Sequence, residues 1–127
     1  MMRVLIACNE TARVSLVGSL TRYGCQIVCI SDGNAARKIV EQGRIDVCVL
    51  DWELAGMGTP GLCQWIASST MTPAPYLIVV VRDDSDQVFA AYQAGAHEFF
   101  AKPFDPDLVA SRISLLKHAR CPRTGSK

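Results

Sequence analysis

Short apolar runs punctuate the chain at five places, over Val4 to Ala7, Gln26 to Ile30, Val47 to Leu50, Tyr76 to Val81 and Glu98 to Ala101. They are rich in β-branched residues and mostly do not alternate with polar ones, the pattern of parallel strands covered on both faces. The stretches between them have helical period. Glu10 to Tyr23 sets Ala12, Leu16, Val17 and Leu20 along one face, leaves Arg13 and Arg22 able to face water, and meets a stop at Gly24, a residue free to take positive φ. A second helix is predicted from about Gly33 to Gln42, burying Ala36, Ile39 and Val40 before Gly43 ends it. Pro60 or Gly61 opens a third, with Leu62, Trp65 and Ile66 at core spacing. Asp84 or Ser85 is a credible N-cap for a fourth that carries Val88, Phe89, Ala91 and Tyr92 up to Gly95. Pro106 suits the first turn of a fifth, whose buried stripe is Leu108, Val109, Ile113, Leu115 and Leu116.

Strict alternation of strand and helix with short connections argues for α/β architecture: a doubly wound, five-stranded parallel sheet with five helices and right-handed crossovers. In such folds ligands bind beyond the carboxyl ends of the strands, where the strand order reverses. That rule selects Cys8, Asn9 and Glu10 after the first strand, Asp51 to Glu53 after the third, Val80 to Arg82 around the end of the fourth, and Lys102-Pro103 after the fifth.

Composition narrows the class. A chain of 127 residues, half of them hydrophobic, can bury one sizeable core. We expect one domain over residues 1–119 and a tail of linker composition over residues 120–127, which hints at the front end of a longer protein. Thirteen basic against twelve acidic residues leave a net charge of +1 and no whole-chain electrostatic reason to bind nucleic acid or an anionic membrane. No apolar run approaches the roughly 20 residues of a membrane span. The opening Met-Met-Arg-Val-Leu-Ile-Ala-Cys has too short an apolar stretch for a signal sequence. Six cysteines, at 8, 25, 29, 48, 63 and 121, show no paired Cys-x-x-Cys spacing, and Cys29 and Cys48 sit within apolar runs as small hydrophobes. A reducing, cytoplasmic compartment fits this usage. His97 and His118 are too scattered to complete a zinc site with them.

Asp51 closing the third strand and Lys102-Pro103-Phe104 closing the fifth, with the passage Gln93-Ala-Gly-Ala-His-Glu-Phe-Phe-Ala-Lys-Pro-Phe104 before it, make the chain resemble the receiver domains of bacterial response regulators. The resemblance covers residues 3 to 118. It implies a flavodoxin-like sheet in the order 2-1-3-4-5, a phosphoacceptor at Asp51 and a phosphate-binding ammonium at Lys102, preceding a cis bond to Pro103. It also implies a magnesium site, with Asn9 and Asp51 as oxygen donors, Glu53 as a weak one and Glu10 as a further candidate. Asp51 by itself would equally be a turn residue after a strand.

Three departures from the family pattern bear on the chemistry. Cys8 and Asn9 stand where two acidic residues are common, and a soft sulfur does not suit magnesium, so Mg2+ binding should be weak or absent. A unit charge about 4 Å away is worth up to about 4 kcal/mol at an effective dielectric of 20, so the lost acids matter. Val80 replaces a Thr or Ser hydroxyl that bonds the phosphoryl group, and forfeits a charge-assisted bond worth about 1.5 to 3 kcal/mol. Phe99 takes the aromatic switch position, although a core aromatic is an equal account of it. Ala55 replaces a proline, and the glycines around Thr59-Pro60 suggest a longer, looser loop beside the pocket. Cys8, Arg82 and Pro103 are placed at the pocket mouth, where a Glu53–Arg82 salt bridge would gate access.

Two mechanisms compete on this reading: phosphorylation at Asp51 with weak magnesium dependence, or a pseudo-receiver that binds partners whatever its phosphorylation state. The departures tilt toward a poorly switching domain. The implied partners are a sensor histidine kinase or phosphotransfer protein and a downstream effector, with no nucleic acid or membrane contact by this domain and homodimerisation left open. Signal would pass through helix four, strand five and helix five, by a surface including Tyr92, Phe99, Val109, Lys117, His118 and Arg120. From other classes, a flavin mononucleotide site lacks a Ser/Thr/Gly-rich loop at Cys8-Asn9-Glu10-Thr11, and an enzyme using Cys8 as nucleophile lacks a histidine at any strand end.

Overall fold

Each apolar run forms a strand in the computed structural model, which describes residues 2–8, 10–54, 56–70 and 74–120 without the side chains of residues 10, 11 and 117–120. Asn9, Ala55, Cys121 and the tail from residue 121, with the side chains of Glu10, Lys117, His118 and Arg120, lie outside the described residues. In chain order the elements are β1 (Arg3–Ala7), α1 (Glu10–Arg22), β2 (Gln26–Ile30), α2 (Gly33–Glu41), β3 (Val47–Asp51), α3 (Thr59–Ser68), β4 (Tyr76–Val81), α4 (Ser85–Gln93), β5 (Glu98–Ala101) and α5 (Pro106–Arg120). All pairings are parallel, in the order β2-β1-β3-β4-β5. α3 begins at Thr59, ahead of the expected Pro60, because Gly58 takes the extended N-cap conformation and proline then fits the first turn.

Successive strand residues point to opposite faces, and in β1, β3 and β4 both faces are covered, which is why these strands read as unbroken apolar runs. Leu5, Cys48, Leu50, Leu77 and Val79 pack with Ala36, Val40, Leu62, Ile66 and Ala91 from α2, α3 and α4. Val4, Ile6, Val49, Ile78 and Val80 pack with Leu16, Leu20, Val109 and Ile113 from α1 and α5. α1 and α5 are tied at the surface, where Asp107 Oδ1 accepts from Arg22 at 2.5 Å and from the Ser19 hydroxyl at 2.6 Å. Glu98 ties β5 to α5 by accepting from Arg112 Nε at 2.6 Å. Local caps agree with the elements: Asp32 accepts from the Ala35 N–H and Asp84 from the Asp86 N–H, and Gly24 and Gly43 end α1 and α2 at positive φ.

Several predicted core residues face water. In α4 the buried residues are Gln87 and Ala91, a stripe that the C-cap Ala94 continues at i, i+4 and i+7. Phe89 and Tyr92 fall outside that stripe and stay 64% and 49% exposed. In α5 Val109, Ile113 and Leu116 take the inner stripe, so Leu108 and Leu115, one position earlier and about 100° around the helix, point outward. Val109 is fully buried and cannot belong to a docking surface. Cys29 is exposed, since β2 is an edge strand.

Candidate functional site

The strand registers bring the chemistry together. Asp51 pairs with Val80, and Ala101, just before Lys102, pairs with Val81. Counting by twos, Cys8, Asp51, Val80 and Lys102 all project toward the α1/α5 side at the carboxyl edge of the sheet. Sequence position alone leaves Asp51 and Lys102 far apart; the sheet puts Lys102 Nζ 2.9 Å from Asp51 Oδ1 across β4. Asp51 is buried, and the same oxygen accepts the Glu53 N–H at 2.9 Å. Its backbone carbonyl accepts from the buried hydroxyl of Thr59. The Lys102–Pro103 peptide is cis.

Charges alternate outward from this pair. Glu53 lies 3.9 Å from Lys102 Nζ through Oε1 and 3.6 Å from Arg82 Nε through Oε2, and Arg82 reaches Asp84 at 4.0 Å. Arg82 and Glu53 are thus within ion-pair reach of each other at the rim, both about half exposed. The Gln87 amide oxygen accepts from the Arg82 N–H at 2.8 Å and fixes the turn after β4.

Cys8 is buried beside Asp51, deeper than a mouth position. Burial, and then the negative charge of Asp51, push its thiol up to about 11, only partly opposed by Arg13 and Lys102. It is a neutral thiol near pH 7, which removes the nucleophile that a cysteine enzyme would need. A cavity of about 360 Å³ opens next to the pair, walled by Cys8, Ala12, Val80, Phe104 and Pro106, with Asp51 and Lys102 contributing its charged groups. Pro103 lines it as well, whereas Arg82 sits outside it over Glu53. Phe99 faces the opposite side of the sheet and meets Tyr92 edge-on, with centroids 5.7 Å apart.

Among the described residues, no group of three or more His, Cys, Asp or Glu side chains is placed to hold a metal ion. Of the described candidate donors, Asp51 Oδ1 already carries an ammonium and Cys8 beside it offers a sulfur where a hard cation prefers oxygen, while Asn9 and the Glu10 side chain lie outside the described residues. Beyond Ala55, the loop after Asp51 packs on the start of α2. The α2 N-terminus at Gly33 lies against the Met57 carbonyl, and Gly56, at φ +75°, lies against Asp32 and Asn34. Sequence reasoning names Phe104 only as the end of the Lys102-Pro103-Phe104 passage and Thr59 only as a loop residue, and does not reach Gln87.

The model of the response regulator receiver domain family matches residues 4–114. The response regulator MprA of Mycobacterium leprae is 31% identical over 116 residues, which are 91% of this chain and 50% of that protein. The chain spans about half the length of the curated relatives it matches. Among solved structures, the receiver domain of a signal transduction histidine kinase from Syntrophus aciditrophicus superposes with a TM-score of 0.85 at 24% identity, covering 100% of this chain and 97% of that one. A receiver domain of a sensor histidine kinase from Pseudomonas aeruginosa has a TM-score of 0.76 at 19% identity, over 91% of this chain and 95% of that one, and holds magnesium in its active-site cleft. At these identities the structural likeness speaks for the fold.

Proposed function

Since this chain belongs to the response regulator receiver domain family, the signalling modules of bacterial two-component systems, we propose that Asp51 is its phosphoacceptor and Lys102 the cation that steadies the transferring phosphoryl group. The observation that carries this is the 2.9 Å contact between a buried carboxylate ending β3 and an ammonium arriving from the end of β5. In the reaction a carboxylate oxygen of Asp51 bonds to phosphorus as the bond from a partner histidine nitrogen to phosphorus breaks. The pair of electrons in that bond returns to the imidazole. Charge on the phosphoryl oxygens is met by Lys102, because the described residues offer magnesium little. Receiver domains typically bind Mg2+ in this cleft, and we read the dependence here as weak. The domain acts without a metabolic substrate of its own, in the cytoplasm, between a sensor histidine kinase or phosphotransfer protein and a downstream effector. The relatives are response regulators, so the phosphorylation-independent reading gains nothing from them.

Output is assigned to the α4-β5-α5 face. Phe89 and Tyr92 on α4 and Leu108 and Leu115 on α5 supply exposed apolar area there, flanking the Glu98–Arg112 pair. Incubating the chain with a small phosphodonor and weighing it intact tests the phosphoacceptor: an adduct should form on the native chain and vanish in Asp51→Asn. An adduct that survives this substitution, or none on the native chain at any magnesium concentration, would overturn the assignment.

Glu53 and Arg82 act as a gate over Asp51. Exposed pairs are worth less than about 1 kcal/mol, so Arg82→Ala should speed labelling by no more than about fivefold. Added salt should narrow the difference between the two. An unchanged rate removes the gate.

A further inference from the structure

We propose that the cavity between α1 and the β5–α5 loop is a binding site for a small, neutral, flat heteroaromatic molecule whose adjacent N–H and C=O groups pair with Asp51 and Lys102. This does not rest on phosphorylation of Asp51. The volume of about 360 Å³ is at the lower end of ligand pockets and suits one or two fused rings. Its walls are apolar where the family pattern is polar: Cys8 and Val80 present a thiol and methyl groups in place of an acid and a hydroxyl. The substitutions that make a poor magnesium site therefore make a better one for an organic ring. Phe104 and Pro106 add flat faces on the α5 side, and Ala12 on α1 leaves room opposite them.

The polar end of the cavity decides the head group. Lys102 and Asp51 already neutralise each other, with Glu53 and Arg82 repeating the alternation outside. A carboxylate or an ammonium on the ligand would gain one member of the pair and be repelled by the other, at the cost of bringing net charge into an apolar site. A neutral lactam edge meets no such penalty. Lys102 has three donors, and a carboxylate has about four acceptor sites, so each keeps capacity beyond their mutual bond. An N–H and a C=O side by side match a carboxylate and an ammonium side by side. The neutral Cys8 thiol adds no competing charge.

The test titrates the full, unphosphorylated chain with isoquinolin-1(2H)-one, following backbone amide chemical shifts. Isoquinoline, lacking the N–H and C=O, and 1-naphthoic acid, charged, serve as comparators. Saturable shifts are expected around Cys8, Ala12, Val80 and Phe104, with isoquinolinone binding about tenfold tighter than isoquinoline, as two added hydrogen bonds allow. Lys102→Met should erase that preference. Ala12→Phe, which fills the cavity, and Ser15→Trp, which obstructs its rim from an exposed position on α1, should each weaken binding at least about tenfold. The Ser15 variant keeps the result readable if the Ala12 variant misfolds. No saturable shift, equal binding of isoquinolinone and isoquinoline, tighter binding of the acid, or full binding by Ser15→Trp would each overturn the proposal. All these readouts are independent of the mass adduct at Asp51, so either reading can fail alone.

Discussion

Replacing Gly33 with alanine is expected to destabilise the domain by about 3 kcal/mol, the upper end for overpacking. A Cβ at that position would fall 1.7 Å from the Met57 carbonyl oxygen and 2.7 Å from its carbon. Both are backbone atoms, so no side-chain rotation relieves the clash, and the segment between β3 and α3 must move off the α2 N-terminus. That segment runs between two residues bonded to each other, since the Thr59 hydroxyl donates to the Asp51 carbonyl. Loss of stability should therefore come with slower labelling of Asp51. Urea denaturation measures the first effect, with Gly18→Ala as a control: a Cβ on Gly18 meets nothing within 4 Å, and alanine in an exposed helix position should gain roughly 0.5 to 1 kcal/mol. A Gly33→Ala chain as stable as the native one would show that the loop is not docked there.

Cys8→Asp is expected to make the fold gain markedly more stability from magnesium than the native chain does. Without metal, the new carboxylate sits buried beside Asp51, and two like charges in one site oppose each other's ionisation. The variant should then be less stable than the native chain by about 1 to 3 kcal/mol. With magnesium the same two carboxylates become oxygen ligands of a hard cation, and binding to the folded state alone returns about 2.7 kcal/mol when the ion stands at a hundred times its Kd. Thermal melts with and without magnesium chloride should diverge for Cys8→Asp and coincide for Cys8→Ala. If the native chain already gains as much from magnesium as the variant does, the weak-magnesium reading of this pocket is wrong.

Local pattern determined much of this protein. Short, β-branched apolar runs bounded by turns read as strands, and period-2 geometry then sends Asp51, Val80 and Cys8 to one side of the sheet. Asp84, Gly24 and Gly43 mark helix ends because their chemistry acts within one turn. That Asp51 and Lys102 follow strands three and five is a one-dimensional fact, while their pairing as anchors was implied only by the resemblance to receiver domains. Packing between elements was not legible in that way. Helical period says that Phe89, Tyr92, Leu108 and Leu115 are apolar, but whether a neighbour covers them depends on where α4 and α5 cross the sheet, and they are left in water. The docking of Gly33 on Met57, the run of charge from Asp51 through Lys102 and Glu53 to Arg82, and the cavity walled by Ala12 and Phe104 join residues whose separations are set only when the sheet closes. Distances of a few ångströms between segments tens of residues apart are decided by tertiary packing, to which no local propensity is sensitive.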